Sequence, residues 1–239
     1  MDIGSPFLTR VSINSGPDEF PFNVPVLAGG LQLGLTTPVT FFVGENGSGK
    51  STILETIAEC CGFRLESGGR DHNLAMFAER SPLAQATTLA WKSGRVVEGF
   101  FLRAESFFNF ATYLEETGTG FWSYGGKSLL EQSHGESFLS LFENRFEQGL
   151  YLLDEPEAAL SPQRQLSLLQ VLHNLSAHGD AQFIVATHSP ILLSFPGSTL
   201  LDFDDGKITE TTYEETEHYR LTKDFLNAPG RYHRYLFGE

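Results

Sequence analysis

A chain of 239 residues, 41% hydrophobic and 19% charged, has the makeup of a folded globular protein with one large core rather than that of a disordered one. Thirty acidic against sixteen basic residues leave a net charge of −14, which repels phosphate backbones and anionic lipid and disfavours bulk nucleic-acid binding without a local basic patch. No stretch approaches the roughly 18 apolar residues of a membrane span, and the start, MDIGSPFLTRVSINSGP, lacks the basic and apolar regions of a signal peptide.

The only cysteines, Cys60 and Cys61, are neighbours with nothing else to pair with, so they read as reduced core thiols and a cytoplasmic protein is expected. Val39–Val43 predicts a buried strand and Lys50–Cys61 a helix, followed by a loop through Gly62 and ESGGRDHN. The run ATTLAWKSGRVVEGFFLRAE predicts two strands joined at Ser93-Gly94 as an antiparallel hairpin. Phe107–Glu116 predicts an aromatic-rich helix, ETGTGFWSYGGKS a glycine-rich loop, and His134 to about Glu147 a helix with Phe138, Leu139, Leu141, Phe142 and Phe146 on its apolar side.

GLYLLDE is a short apolar strand ending in carboxylates, and Ser161-Pro162 opens a helix as N-cap and first-turn proline. AQFIVATHSP is a second buried strand with Ser189-Pro190 starting a short helix. TLLDFDDGKITE predicts a hairpin turning at Asp205-Gly206, and Tyr213–Phe237 predicts helix broken at Pro229-Gly230. Apolar strands alternating with helices indicate an α/β fold, a mostly parallel sheet covered on both faces.

Between the first strand and the first helix stands GENGSGKS, residues 44 to 51, which fits G-x-x-x-x-G-K-[S/T]. Gly44, Gly47 and Gly49 let the backbone curl so that the amides of Gly44, Glu45, Asn46, Gly47, Ser48, Gly49, Lys50, Ser51 and Thr52 converge on phosphate oxygens at a helix N-terminus. Lys50 is expected to reach the β- and γ-phosphates of a nucleotide and Ser51 to hold Mg²⁺ through its hydroxyl. A glycine-rich turn with no ligand is the plainer alternative, but a buried strand before and an amphipathic helix after are the context the motif requires.

Asp154, delivered by an apolar strand, suits Mg²⁺, and Glu155 beside it suits orienting and polarising a water for attack on the γ-phosphate. His188, after the next strand, is placed to hydrogen-bond that phosphate or that water. Ser133 and Glu136 form a capping box that, with Gly135, opens the His134 helix, and a helix N-terminus with a serine hydroxyl also binds phosphate.

In these motifs the chain resembles the ABC-type P-loop ATPases, in particular stand-alone AAA-family ATPases related to the heads of chromosome-maintenance and break-repair proteins. GENGSGKST resembles the Walker A loop, LYLLDEPEAAL the Walker B strand with its catalytic glutamate, SHGES the signature helix, AALSPQRQ the D-loop and ATHSP the switch histidine. The resemblance implies a single domain over residues 1–239. Its nucleotide-binding core spans 1–105 and 149–239 with antiparallel strands in a hairpin subdomain, and a small helical lobe, 106–148, carries the signature. It further implies ATP and Mg²⁺ as ligands, Lys50, Glu155 and His188 as catalytic residues, and Ser51 and Asp154 as metal ligands. A head-to-tail homodimer is also implied, in which Ser133 and Gly135 complete the partner's site.

The pattern departs from the family in three places. The signature reads S-H-G-E, not L-S-G-G-Q, which favours the repair and chromosome-associated branch over transporters. No glutamine follows GFFLRAESFFN, leaving Glu105 or Asn109 as substitutes, and the adenine-stacking aromatic has only Phe20 or Phe22 as candidates, each equally readable as core. No heptads lie between Ser51 and Ser133, so no long coiled-coil arm is expected. EETE (214–217) reads as a solvated helix face, and RYHRY as either a packed helix or a contact for a protein partner or nucleic acid. A transporter ATPase subunit and a non-hydrolysing ATP sensor stand as alternatives, whereas a GTPase lacks N-K-x-D and a kinase lacks an evident acceptor site.

Overall fold

The computed structural model describes residues 4–69, 79–92, 98–117 and 148–238. Ser133, Gly135 and the helix expected from His134 therefore lie outside the described residues, as does most of the glycine-rich loop before them.

The strands are β1 (Leu8–Ile13), β2 (Leu31–Gly34), β3 (Val39–Val43), β4 (Thr87–Trp91), β5 (Gly99–Arg103), β6 (Gly149–Asp154), β7 (Ala181–Ala186), β8 (Thr199–Asp202) and β9 (Thr209–Thr211). The helices are α1 (Lys50–Cys61), α2 (Pro82–Gln85), α3 (Phe107–Thr117), α4 (Pro162–Ala177), α5 (Pro190–Leu193), α6 (Glu217–Asn227) and α7 (Pro229–Phe237). One sheet runs β5-β6-β7-β3-β8-β9, parallel except for the β8–β9 hairpin. A smaller antiparallel sheet runs β2-β1-β4.

The central strands are apolar on both faces because both faces are covered. Val39, Phe41, Val43, Tyr151, Leu153, Phe183 and Val185 point to one layer, where they meet Phe110 of α3, Leu168 and Leu172 of α4 and Leu192 of α5. The intervening Phe42, Leu150, Leu152, Ile184 and Ala186 point to the other, with Ile53, Leu54 and Ile57 of α1 and Leu8, Val11 and Leu33 of the antiparallel sheet. This two-residue alternation between buried layers is what a parallel strand between helices requires. Each such Val, Leu, Ile or Phe side chain contributes about 1.5–3 kcal/mol on removal from water.

The two sheets are also tied by one polar side chain. Gln182, fully buried on β7, accepts from the amides of Phe7 and Leu8 and donates to Leu8 O, all at 2.8 Å. All three bonds satisfy groups that would otherwise be stranded where β1 crosses the parallel sheet.

The expected hairpin across residues 87–103 is corrected: β4 and β5 do not pair. β4 lies antiparallel to β1, with Val11 opposite Leu89, whereas β5 lies parallel to β6, with Phe101 opposite Leu152. The physical reason is in the side chains. β4 alternates exposed and half-buried residues, as befits an edge with one covered face, while Phe100, Phe101 and Leu102 of β5 are buried on both faces and need the double-covered sheet. Besides the β8–β9 hairpin, the antiparallel part of the described residues is therefore a three-stranded sheet assembled from distant segments.

Candidate functional site

The C-terminal ends of β3, β6 and β7 lie side by side, and each delivers one part of the site. β3 runs into the glycine loop, in which Gly44, Gly47 and Gly49 all have positive φ (133°, 81° and 104°). A Cβ on Gly49 would lie 2.8 Å from Val24 Cγ1 and 2.9 Å from Val26 Cγ2, so that position is closed by space as well as by backbone conformation, while one on Gly44 would lie 2.8 Å from Asp204 Oδ1, which would have to give way. The Glu45 amide donates to Asp204 Oδ1 at 2.8 Å, which anchors the loop to the turn between β8 and β9. Glu45, Asn46 and Gly47 are exposed, and Ser48, Ser51 and Thr52 are partly so.

Lys50 is 5% exposed, and its ammonium donates to Gly44 O at 2.6 Å, Glu45 O at 2.8 Å and, more weakly, Ser48 Oγ at 3.4 Å. Burial lowers its pKa, opposed by the carboxylates of Glu155, Asp204, Asp154 and Glu45. The lysine is thus held inside the curl of the loop, among the amides expected to meet phosphate.

β6 ends at Asp154, 3% exposed, whose Oδ1 accepts from Ser51 Oγ at 2.9 Å. Its other oxygen accepts from Arg103 Nε at 3.0 Å, at the end of β5. Arg103 also pairs with Glu55 on α1 and reaches Glu105 at 3.6 Å. Burial raises the Asp154 pKa, with Arg103 and the Ser51 hydroxyl pulling the other way. Arg103 itself is lowered by burial but more than restored by Glu55 and Asp154, for a net rise.

Glu155 has φ 49° and ψ 52°, the left-handed region that an L-residue with a long side chain rarely occupies. Its amide donates to Ala186 O at 2.9 Å, so the turn is fixed by β7. β7 then gives Thr187 and His188, and His188 Nε2 lies 3.6 Å from Glu155 Oε1. Burial lowers the His188 pKa, helped by Lys50 and His218 and opposed by Glu155 and Glu45, so the ring is neutral at pH 7.

A cavity of about 360 Å³ opens between these groups, lined by Ser51, Arg103, Ala104, Glu105, Asp154, Glu155 and Ala158. It borders both the Ser51 hydroxyl and the Asp154 and Glu155 carboxylates. Among the described residues no cluster of three or more His, Cys, Asp or Glu could hold a metal alone. Ser51 Oγ and Asp154 Oδ1 nevertheless fit Mg²⁺: both are hard oxygen donors 2.9 Å apart, and Mg²⁺ takes its remaining ligands from phosphate and water.

The described residues therefore bring together Gly44 to Thr52, Asp154, Glu155 and His188. Glu105 borders the same cavity, its side chain largely exposed, whereas Phe22 is buried in the core and Phe20 is 75% exposed. Four residues of the site were not singled out by sequence. Arg103 closes an apolar strand and Asp204 sits in a predicted turn, so a charge at a strand end was the available signal for the first and a charge in a turn for the second. Glu157 accepts from the His188 amide at 2.6 Å and has its pKa raised by burial, joining the loop after β6 to the loop after β7. His218 contacts His188 from α6, and nothing local in the sequence announces it.

A model of an AAA domain matches residues 22–92, and another AAA-domain model, whose description refers to the AbiEii toxin of a Type IV TA system, matches residues 123–194. Among curated proteins none matches the chain. An ATP-binding cassette of an ABC transporter in its ADP conformation aligns at 16% identity over 92% of this chain and 96% of its own, with a TM-score of 0.53. The cbiO1 component of a Clostridium perfringens ABC transporter complex aligns at 14% identity over 93% of this chain and 96% of its own, with a TM-score of 0.51. An SMC head domain from Thermotoga maritima aligns at 16% identity over 86% of this chain and 98% of its own, with a TM-score of 0.47. The two cassettes carry the assignment, which is one of fold: this chain has the fold of the ABC-type P-loop ATPases.

Proposed function

We propose that the chain binds Mg·ATP at Gly44–Thr52 and hydrolyses it to ADP and phosphate. The observation that carries this reading is the meeting of three strand ends: Ser51 Oγ at 2.9 Å from Asp154, Glu155 in a left-handed turn next to it, and His188 Nε2 at 3.6 Å from Glu155. Loop amides and Lys50 bind the triphosphate, while Ser51 and Asp154 hold Mg²⁺. When bound, Mg²⁺ neutralises charge on the phosphate oxygens. Glu155 then orients and polarises the water, and His188 donates a hydrogen bond at the γ-phosphate end.

The same reading includes a head-to-tail pair of chains in which Ser133 and Gly135 of each touch the nucleotide held by the other, and the family resemblance supports it. The exposed loop residues Glu45, Asn46 and Gly47, with half-exposed Glu155, leave the phosphate side of the cleft open to such a second chain. A phosphate-release assay tests the reading: the parent hydrolyses ATP, while Glu155→Gln keeps ATP affinity, loses about 100-fold or more in rate, and accumulates as a dimer. Turnover by Glu155→Gln at the parental rate contradicts the role of Glu155.

Likeness in fold to two transporter cassettes supports a second reading, in which the same cycle drives a membrane permease. Co-purification with such a permease from membranes would favour it.

A further inference from the structure

His188 is approached from the side away from Glu155 by a second histidine. His218, in the first turn of α6, brings its Nε2 to 2.7 Å from His188 Nδ1, with the ring centroids 4.8 Å apart and the planes tilted by 49°. The placement is firm. Thr216, fully buried, caps α6 by accepting from the Tyr219 amide and donates to Tyr213 O, which fixes the turn that carries His218. The far nitrogens, His188 Nε2 and His218 Nδ1, are both buried and have no hydrogen-bond partner among the described residues.

Two imidazoles at this distance share one proton between the facing nitrogens, and which ring supplies it decides the state of the far ones. If His188 donates from Nδ1, its Nε2 lone pair faces the Glu155 carboxylate, and His218 must keep a buried N–H at Nδ1 with no acceptor. If His218 donates from Nε2, His188 carries its proton on Nε2, an N–H 3.6 Å from Glu155 Oε1, and His218 is left with only a bare nitrogen. The second arrangement replaces a lone-pair repulsion at the Glu155 end by an attraction and exchanges an unsatisfied buried donor on His218 for an unsatisfied acceptor, so the Glu155 end decides.

We infer that His218 is a positioning residue: it donates Nε2–H to His188 Nδ1 and so holds His188 in the Nε2–H tautomer that lets it donate to the γ-phosphate or the attacking water. The inference rests on the proposed ATPase reading for what His188 faces, but the tautomer itself does not depend on nucleotide. Among the described residues, Lys50, His218, Glu155 and Glu45 act on His188, the Glu157 carboxylate accepts from its amide, and His218 is the one that bonds Nδ1.

Nitrogen-15 NMR of the full chain labelled at histidine tests this directly, with the His188 signals assigned by their loss in His188→Gln. In the parent at pH 7.5, His188 is expected as the Nε2–H tautomer. His218→Gln, whose amide N–H can donate to Nδ1, keeps it. His218→Glu, which only accepts, moves the proton to Nδ1. Hydrolysis falls on the order of 10- to 100-fold in His218→Glu and His218→Ala and returns toward the parent in His218→Gln, with Mg·ATP affinity unchanged. An Nδ1–H tautomer in the parent overturns the inference, as does an unchanged tautomer and rate in His218→Glu. If the parent fails to bind Mg·ATP, the ATPase reading falls, while the parental tautomer still decides the role of His218.

Discussion

Arg103 Nε and Asp154 Oδ2 lie 3.0 Å apart, on the oxygen of Asp154 that Ser51 does not use. The end of β5 is thereby tied to the end of β6, and the carboxylate is held with one oxygen toward the glycine loop. Arg103→Ala would strand the buried Asp154 beside Glu155. Because Arg103 keeps some contact with water, the loss belongs at or below the low end of the range for a broken buried pair, about 3 kcal/mol. Urea unfolding reads it, and a loss under about 0.5 kcal/mol would mean that the pair holds nothing.

Glu155 carries a backbone conformation that glycine adopts freely, with a side chain 46% exposed and little packing to lose. Glu155→Gly is expected to raise stability by about 1 kcal/mol while lowering hydrolysis by at least about 100-fold. A fall in stability would show that the left-handed turn is not strained. Retained hydrolysis would remove the assigned role.

The loop glycines separate into two kinds. Gly49→Ala meets Val24 Cγ1 at 2.8 Å and Val26 Cγ2 at 2.9 Å as well as an unfavourable φ, whereas Gly47→Ala meets only the unfavourable φ. The first is expected to cost about 2–3 kcal/mol and the second about 1 kcal/mol. Equal midpoints in parallel urea titrations would contradict the packing of the loop against Val24 and Val26.

His188 provides a pH signature. Its folded pKa lies below the unfolded value of 6.5, with burial first among the causes. Below pH 6.5 the unfolded chain takes up a proton that the folded chain resists, so this contribution to stability is present above pH 6.5 and lost as pH falls through the window beneath it. The stability advantage of the parent over His188→Gln should therefore shrink between pH 7.5 and pH 5, measured by thermal or urea unfolding at each pH. An advantage that grows on acidification would mean that the ring is favoured as the cation.

Much of the fold and of the site could be read from sequence because the relevant residues are consecutive. Gly44–Ser51 is one loop, Asp154-Glu155 one strand end, and His188 follows one apolar strand, so composition and order carried them. The bounds expected for α1 are those found, since Ile53, Leu54, Ile57, Ala58 and Cys61 mark its buried face and Gly62 ends it with φ 81°. What was illegible depends on partners far along the chain. β4 and β5 share a local strand signal, and only the choice of sheet, set by whether one or two faces are buried, tells them apart. Arg103, Asp204, Glu157 and His218 join the site through contacts to Asp154, Glu45 and His188 that no local spacing encodes. Ser161 shows the converse: its place before Pro162 is as expected, yet its side chain makes no cap hydrogen bond.

The most direct measurement is calorimetric titration of Mg²⁺ with a non-hydrolysable ATP analogue into the parent and into Lys50→Ala. The buried Lys50 and the curled amides around it predict saturable binding by the parent, lost in Lys50→Ala while the fold is retained by circular dichroism. No heat of binding with the parent, or equal affinity in Lys50→Ala, would contradict a phosphate site built by Gly44 to Thr52.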